Sequence, residues 1–164
     1  MQIVTASLQD KPVFRNLMSL YLYDFSEYTG DDVNEIGQFE DEHLERYWTE
    51  PNRYPFLVQV AEKYAGFILV RAMAAPGAYQ PIYHIAEFFV MKKYRMRGIG
   101  RQMACQIFDR FPGEWRVEEM EENLPAQVFW RKVIDEYTGG RYQEISDPDW
   151  QGPVQAFHSP GGSR

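Results

Sequence analysis

Residues 87–103 read EFFVMKKYRMRGIGRQM, and the order of characters in that stretch decides the fold. Glu87, Phe88, Phe89, Val90 and Met91 open it with the apolar and aromatic composition of a buried strand. Lys92, Lys93, Tyr94, Arg95, Met96 and Arg97 then switch abruptly to basic character, and Gly98 and Gly100 follow. Beyond them Ile99, Met103, Ile107, Phe108 and Phe111 recur at spacings of three and four, one face of a helix. A strand that passes through a basic, glycine-containing turn into a helix is an anion site in outline. The first helical turn leaves backbone N–H groups without intrahelical partners, and the helix dipole makes that end positive. Glycine lets a ligand come close to the main chain and arginines add charge at range, which together suit a phosphate or diphosphate.

Two common phosphate patterns do not fit. A dinucleotide fingerprint needs a third glycine at position 103, where Met103 stands. A P-loop needs Lys-Ser or Lys-Thr after its last glycine, where Arg101 and Gln102 stand. Besides a turn that merely solvates itself, there remains Arg95-x-Arg97-Gly98-x-Gly100, with Val90 five positions before Arg95. It resembles the acetyl-CoA motif of the GNAT superfamily of N-acetyltransferases, in which Q/R-x-x-G-x-G/A follows a strand ending in Val or Ile. A second segment, Asn123-x-x-Ala126-x-x-Phe129-Trp130, resembles the family's N-x-x-A-x-x-F/L-Y. Two motifs in the right order are far more specific than either alone.

The rest of the chain accommodates that reading. Residues 2–6 suit a short strand, and Asp10 caps a helix with Pro12 in its first turn. Phe14, Leu17, Met18, Tyr21, Phe25 and Tyr28 form its apolar face, and Gly30 closes it. An acidic run follows, within which residues 41–49 read as a short helix presenting Leu44, Tyr47 and Trp48 before Pro51. Strands over 56–61 and 64–71, a loosening at Ala74-Ala75-Pro76-Gly77, and the strand ending at Met91 make an antiparallel meander. After the helix 99–111, a strand at 115–120 runs parallel to the one ending at Met91 through a right-handed crossover. A helix carrying Ala126, Phe129, Trp130, Val133, Ile134 and Tyr137 ends at Gly139-Gly140, and strands at 141–145 and 154–158 complete the set. The predicted order is β-α-α-β-β-β-α-β-α-β-β, an α/β (α+β) chain. The resemblance implies the GNAT fold, a mixed, mostly antiparallel sheet with a V-shaped splay between its central strands. Residues 1–158 are expected to form one domain, with a short flexible tail over 159–164.

Composition narrows the setting. With 164 residues, 45% of them hydrophobic, the chain can bury the core of one domain, and 16% aromatic content argues against disorder. A formal charge of −7 speaks against nucleic-acid binding. Nothing resembles a membrane span or a signal peptide, and the single Cys105 suits a reducing cytoplasm. A homodimer is compatible with such a domain.

The resemblance also implies a site. The backbone of Phe88, Phe89 and Val90 would hold the pantetheine arm of acetyl-CoA and polarise its acetyl carbonyl, alongside ordinary core packing by their side chains. The N–H groups of Arg95, Arg97, Gly98, Ile99, Gly100 and Arg101 would hold the diphosphate. The arginine side chains could add phosphate contacts, whereas Lys92 and Lys93 read as solvated charges. Asn123 would contact pantetheine, a role compatible with capping the following helix. Trp130 stands where many members carry a tyrosine that protonates the departing thiolate. An indole N–H cannot serve as that acid, so the role is missing or filled elsewhere. Tyr137, two turns on, reads equally as core.

For the base, Glu87 is the first candidate, with a structural or solvent-facing carboxylate as the other reading. His84 is an alternative, since imidazole changes protonation near neutrality. Glu118, Glu119 or a chain of waters could also serve. No G-x-S-x-G elbow is present, the three histidines lack metal-ligand spacing, so no metal is expected, and Cys105 reads as incidental. The acidic residues between Asp24 and Glu45 would favour a cationic amine acceptor, or form an ordinary acidic surface. The function expected is a cytoplasmic, acetyl-CoA-dependent N-acetyltransferase acting on a primary amine of a small molecule or protein, by direct attack in a ternary complex. An acyl-CoA-binding sensor without catalysis is the runner-up, and nucleotide binding a third reading.

Overall fold

The computed structural model describes residues 1–74, 77 and 79–162. Ala75 and Pro76 of the expected loosening, and Ser163 and Arg164 of the expected tail, lie outside the described residues. The strands are β1 (Gln2–Thr5), β2 (Arg53–Val60), β3 (Lys63–Met73), β4 (Ile82–Val90), β5 (Gly113–Glu118), β6 (Tyr142–Ile145) and β7 (Val154–Ser159). The α-helices are α1 (Lys11–Thr29), α2 (Ile99–Arg110) and α3 (Leu124–Thr138). One seven-stranded sheet runs in the order β1-β2-β3-β4-β5-β7-β6. β4 and β5 are parallel, with Tyr83 opposite Trp115 and His84 opposite Arg116. β1 with β2, β5 with β7 and β6 with β7 are antiparallel.

The helix expected over 41–49 is instead a 3-10 turn, Leu44–Trp48. Leu44 and Tyr47, the two buried residues, are three apart, which puts them on one side of a 3-10 turn. Asp41 favours a turn there, accepting the His43 N–H through Oδ1 at 2.7 Å. Ser159, expected in the tail, is the last residue of β7, and the Gly162 N–H donates to Asp109 O at 3.2 Å.

The chain gathers into two compact units, Met1–Leu69 with Glu87–Tyr94, and Val70–Ala86 with Arg95–Arg164. In the first, α1 buries Phe14, Leu17, Met18 and Tyr21, the face expected from their spacing. Phe67 of β3 is the hub, with ring centroids of Phe14, Phe89 and Tyr21 at 4.8, 5.5 and 5.6 Å. In the second, Phe108 of α2 is the hub, with Phe157, Trp115 and Tyr137 at 4.9, 5.0 and 5.2 Å. Met103, Ala104 and Ile107 complete the buried face of α2. Helix α2 is thereby anchored through its side chains, and its backbone terminus is free for other work.

Candidate functional site

The turn between β4 and α2 is built by backbone handedness. Met96 and Gly98 both have positive φ, 58° and 75°, on either side of Arg97. Alternating handedness of this kind turns successive N–H groups toward one concavity, the backbone form that binds anions. Gly98 is the N-cap residue of α2, and no side chain caps that end among the described residues. The Gln102 N–H donates to Gly98 O at 3.0 Å, so those of Ile99, Gly100 and Arg101 are the ones a helix leaves without intrahelical acceptors. A Cβ built on Gly98 meets nothing within 4 Å. The turn is open on that side.

The basic side chains divide. Arg95 and Arg97 are exposed at the turn. Arg101 donates through Nε to Glu136 Oε2 at 2.6 Å, and is thus drawn toward α3. In the first unit, exposed Lys92 lies 3.4 Å from Asp24, and Lys93 lies over the Tyr94 ring.

The end of β4 carries a second arrangement. The Tyr21 hydroxyl of α1 donates to Glu87 Oε2 at 2.5 Å. Burial first, and then the Glu87 carboxylate, hold that hydroxyl well above the ordinary tyrosine range, so it remains a donor. The backbone here is pinned from β3. The Met91 N–H donates to Ala65 O at 2.8 Å, and a Cβ on Gly66 would lie 1.9 Å from Phe89 O. Only glycine allows that approach. Gly66→Ala is expected to displace the Phe89 carbonyl and cost about 1–3 kcal/mol of stability, an overpacking penalty read by denaturant unfolding. An unchanged midpoint would contradict this packing.

In the second unit, Asn123 Oδ1 accepts the Ala126 N–H at 3.1 Å, and Pro125 occupies the first turn of α3. The capping role expected for Asn123 is therefore filled by its oxygen and not by its amide nitrogen. Gln127 donates to Met120 O and Glu121 O, both at 3.0 Å, and so holds the loop leaving β5. Trp130 is buried, its ring 6.3 Å from Phe108. Tyr137 does not take over as an acid. Its hydroxyl donates to Asp109 and lies 2.8 Å from Ser159 Oγ, and its pKa is pushed up to about 12, chiefly by burial. Burial likewise raises the Cys105 thiol, which keeps it from acting as a thiolate.

Two neighbouring carboxylates, Glu118 at the end of β5 and Glu119 just beyond it, behave differently. Glu118 Oε1 lies 3.1 Å from His84 Nδ1 of β4. Glu119 is 3% exposed, and among the described residues neither of its carboxyl oxygens meets a hydrogen-bond partner, nor does either polar atom of the buried Gln155 amide. Its pKa is raised to about 8, by burial before all else.

A family model, the Acetyltransferase (GNAT) family, matches residues 15–134. This chain belongs to the GNAT family of acetyltransferases. Solved structures agree in fold. An acetyltransferase from Thermus thermophilus superposes with a TM-score of 0.68 at 14% identity, covering 96% of each chain. The ribosomal-protein-S18-alanine N-acetyltransferase of Escherichia coli gives 0.64 at 11% identity, covering 99% of this chain and 96% of its own. An aminoglycoside acetyltransferase from an uncultured soil metagenomic sample, in complex with sisomicin, gives 0.61 at 21% identity, covering 80% and 86%. No curated protein matches the chain in sequence. Among the described residues no helix is long and apolar enough to cross a membrane.

GNAT acetyltransferases use acetyl-CoA as acyl donor. The open main-chain concavity at Met96–Gly98 fits a diphosphate by its geometry and dipole. Sequence reasoning did not find Tyr21 as the partner of Glu87, nor the left-handed backbone at Met96. The first needs a contact across 66 residues, and the second has no signal in a methionine.

Proposed function

We propose that this GNAT acetyltransferase is an N-acetyltransferase, moving the acetyl group of acetyl-CoA directly to a primary amine with both substrates bound. The observation that carries the reading is the pair of left-handed residues, Met96 and Gly98, opening onto the uncapped start of α2. The amides of residues 97–101 hold the diphosphate, and Arg95 and Arg97 add charge beside it. The backbone of Phe88, Phe89 and Val90 holds the pantetheine arm, and Asn123 contributes its amide nitrogen. Acetyl-CoA supplies an activated thioester, and the protein's share is to align it with the amine and to take up a proton.

The acceptor is a cationic amine. Asp31, Asp32 and Glu35 stand exposed in the segment after α1, while Glu45 is taken by Lys11 and Arg15. Glu87 is the fixed anion that receives the ammonium, because the Tyr21 hydroxyl holds one carboxylate oxygen in place. Glu87→Gln retains an acceptor for Tyr21 and removes only the charge. It is expected to raise KM for a cationic acceptor by about 10-fold or more, the loss of a charged contact worth about 1.5–3 kcal/mol. Acetyl-CoA affinity should stay as it is. An unaltered KM would remove Glu87 from acceptor binding.

The reading is tested by incubating the protein with acetyl-CoA and spermidine, sisomicin or a lysine-containing peptide. Free thiol and acetylated amine should appear in equal amounts. Thiol release without an acetylated product would make the protein a thioesterase and defeat the proposal.

A further inference from the structure

Within the second unit, residues 119–123 run from the end of β5 to Asn123, the N-cap of α3. A surface connection commonly leaves its backbone groups to water, but this one is bonded by protein at nearly every step. Glu119 donates its N–H to Pro153 O at 3.1 Å, and its carbonyl accepts the Trp150 indole N–H at 3.0 Å. The carbonyls of Met120 and Glu121 both accept from the Gln127 side-chain amide, and the Asn123 N–H donates to Met120 O at 3.1 Å. Gly152 lies against the same backbone. A Cβ there would stand 2.1 Å from Glu119 O and 3.0 Å from Glu121 N, so only glycine allows the approach. The clamp is itself anchored. Asp147 Oδ1 accepts the Asp149 N–H at 2.9 Å, Asp147 O accepts the Trp150 N–H at 3.2 Å, and Asp147 Oδ2 lies 3.6 Å from Arg116 of β5.

Asn123 is the residue this framework delivers. It is 7% exposed, and its Oδ1 is committed to the Ala126 N–H, so the amide nitrogen is the side-chain atom left to donate to a ligand. A donor that must meet one arm of a cofactor gains from being fixed before the ligand arrives, because a shift of about 1 Å spoils the hydrogen bond. We propose that Trp150 and Gly152, in the 146–153 loop between β6 and β7, are positioning residues for Asn123 in acetyl-CoA binding. The inference rests on the pantetheine contact given to Asn123 above. The two residues act through the backbone of residues 119–121, Trp150 by its indole N–H and Gly152 by its lack of a side chain.

The test titrates acetyl-CoA into wild type, Trp150→Phe, Gly152→Ala, Asn123→Asp and the double variant of Trp150→Phe with Asn123→Asp. ADP, which has the diphosphate and no pantetheine arm, is titrated in parallel, and thermal unfolding checks each fold. Trp150→Phe keeps an aromatic ring and removes the indole N–H, and Asn123→Asp keeps the capping oxygen and removes the amide nitrogen. Each should weaken acetyl-CoA by about fivefold or more, the reach of one hydrogen bond, and Gly152→Ala at least as much. ADP affinity should stay within about twofold throughout. In the Asn123→Asp background Trp150→Phe should add less than about twofold, since the donor it positions is gone. A merely structural loop predicts losses shared by ADP, or losses that multiply in the double variant, and either result overturns the inference. So does wild-type acetyl-CoA affinity in Trp150→Phe, which decides alone if Gly152→Ala fails to fold. Wild-type affinity in Asn123→Asp would instead overturn the pantetheine role of Asn123, and the positioning role with it.

Discussion

Gly98→Leu yields a folded protein that no longer binds acetyl-CoA. The substitution should cost about 1–2 kcal/mol of stability, because a side chain is placed at φ 75°, in the left-handed region. No clash adds to that cost, since nothing lies within 4 Å of the new Cβ. The open space on that side is where the main-chain cradle would receive a diphosphate, and leucine fills it. Two lost charge-assisted contacts, at about 1.5–3 kcal/mol each, weaken binding by at least ~100-fold. Calorimetric titration with acetyl-CoA, beside thermal unfolding of the apo protein, separates the two effects. Wild-type affinity in the variant would mean that the turn does not hold the cofactor.

The stability of the chain should fall as pH rises from about 4.5 to about 8, and Glu119→Gln should remove most of that fall. Glu119 is held in a buried setting where burial favours its neutral form and lifts its pKa to about 8. Arg131 and Gln155 pull it down, and Glu144 and Glu118 push it up, all more weakly than burial. Between the unfolded value near 4.5 and the folded value near 8, the folded chain keeps a proton that the unfolded chain has released. Folding then weakens with each step up in pH, and levels off above the folded value. The size of the effect is on the order of a few kcal/mol. Glutamine has the shape of the protonated acid and cannot ionise. Its unfolding free energy should match that of wild type near pH 4.5 and exceed it at pH 8. Parallel curves for the two proteins would place Glu119 in water.

Much of this could be read from the chain before any coordinates. The strand, basic turn and helix of residues 87–103 have local signatures: an apolar run, two glycines, and a three-four spacing that α2 buries as Met103, Ile107 and Phe108. Asn123 and Pro125 announce the start of α3 in the same local way. Where expectation and structure part, the deciding contact is distant. Leu44 and Tyr47 suit either kind of helix, and the indole of Trp48, bonded to Ala6 O at 3.1 Å, ties their turn to the start of the chain. Glu118 and Glu119 look alike as neighbouring acids. Glu118, the last residue of β5, reaches His84, whereas Glu119, just past the strand, is buried with its N–H on Pro153 O. Tyr21 reads as one more apolar residue of α1, and only the fold brings its hydroxyl to Glu87.

Backbone amides at the start of α2 are the groups that would grip the diphosphate of acetyl-CoA, and amide NMR observes them directly. Titration with acetyl-CoA should shift the resonances of Arg97, Gly98, Ile99, Gly100 and Arg101 and slow their hydrogen exchange, whereas acetylated pantetheine, which lacks the diphosphate, should leave them nearly in place. If acetyl-CoA saturates the protein while these amides stay where they were and others move, the ligand is held somewhere else and the cradle is not its site.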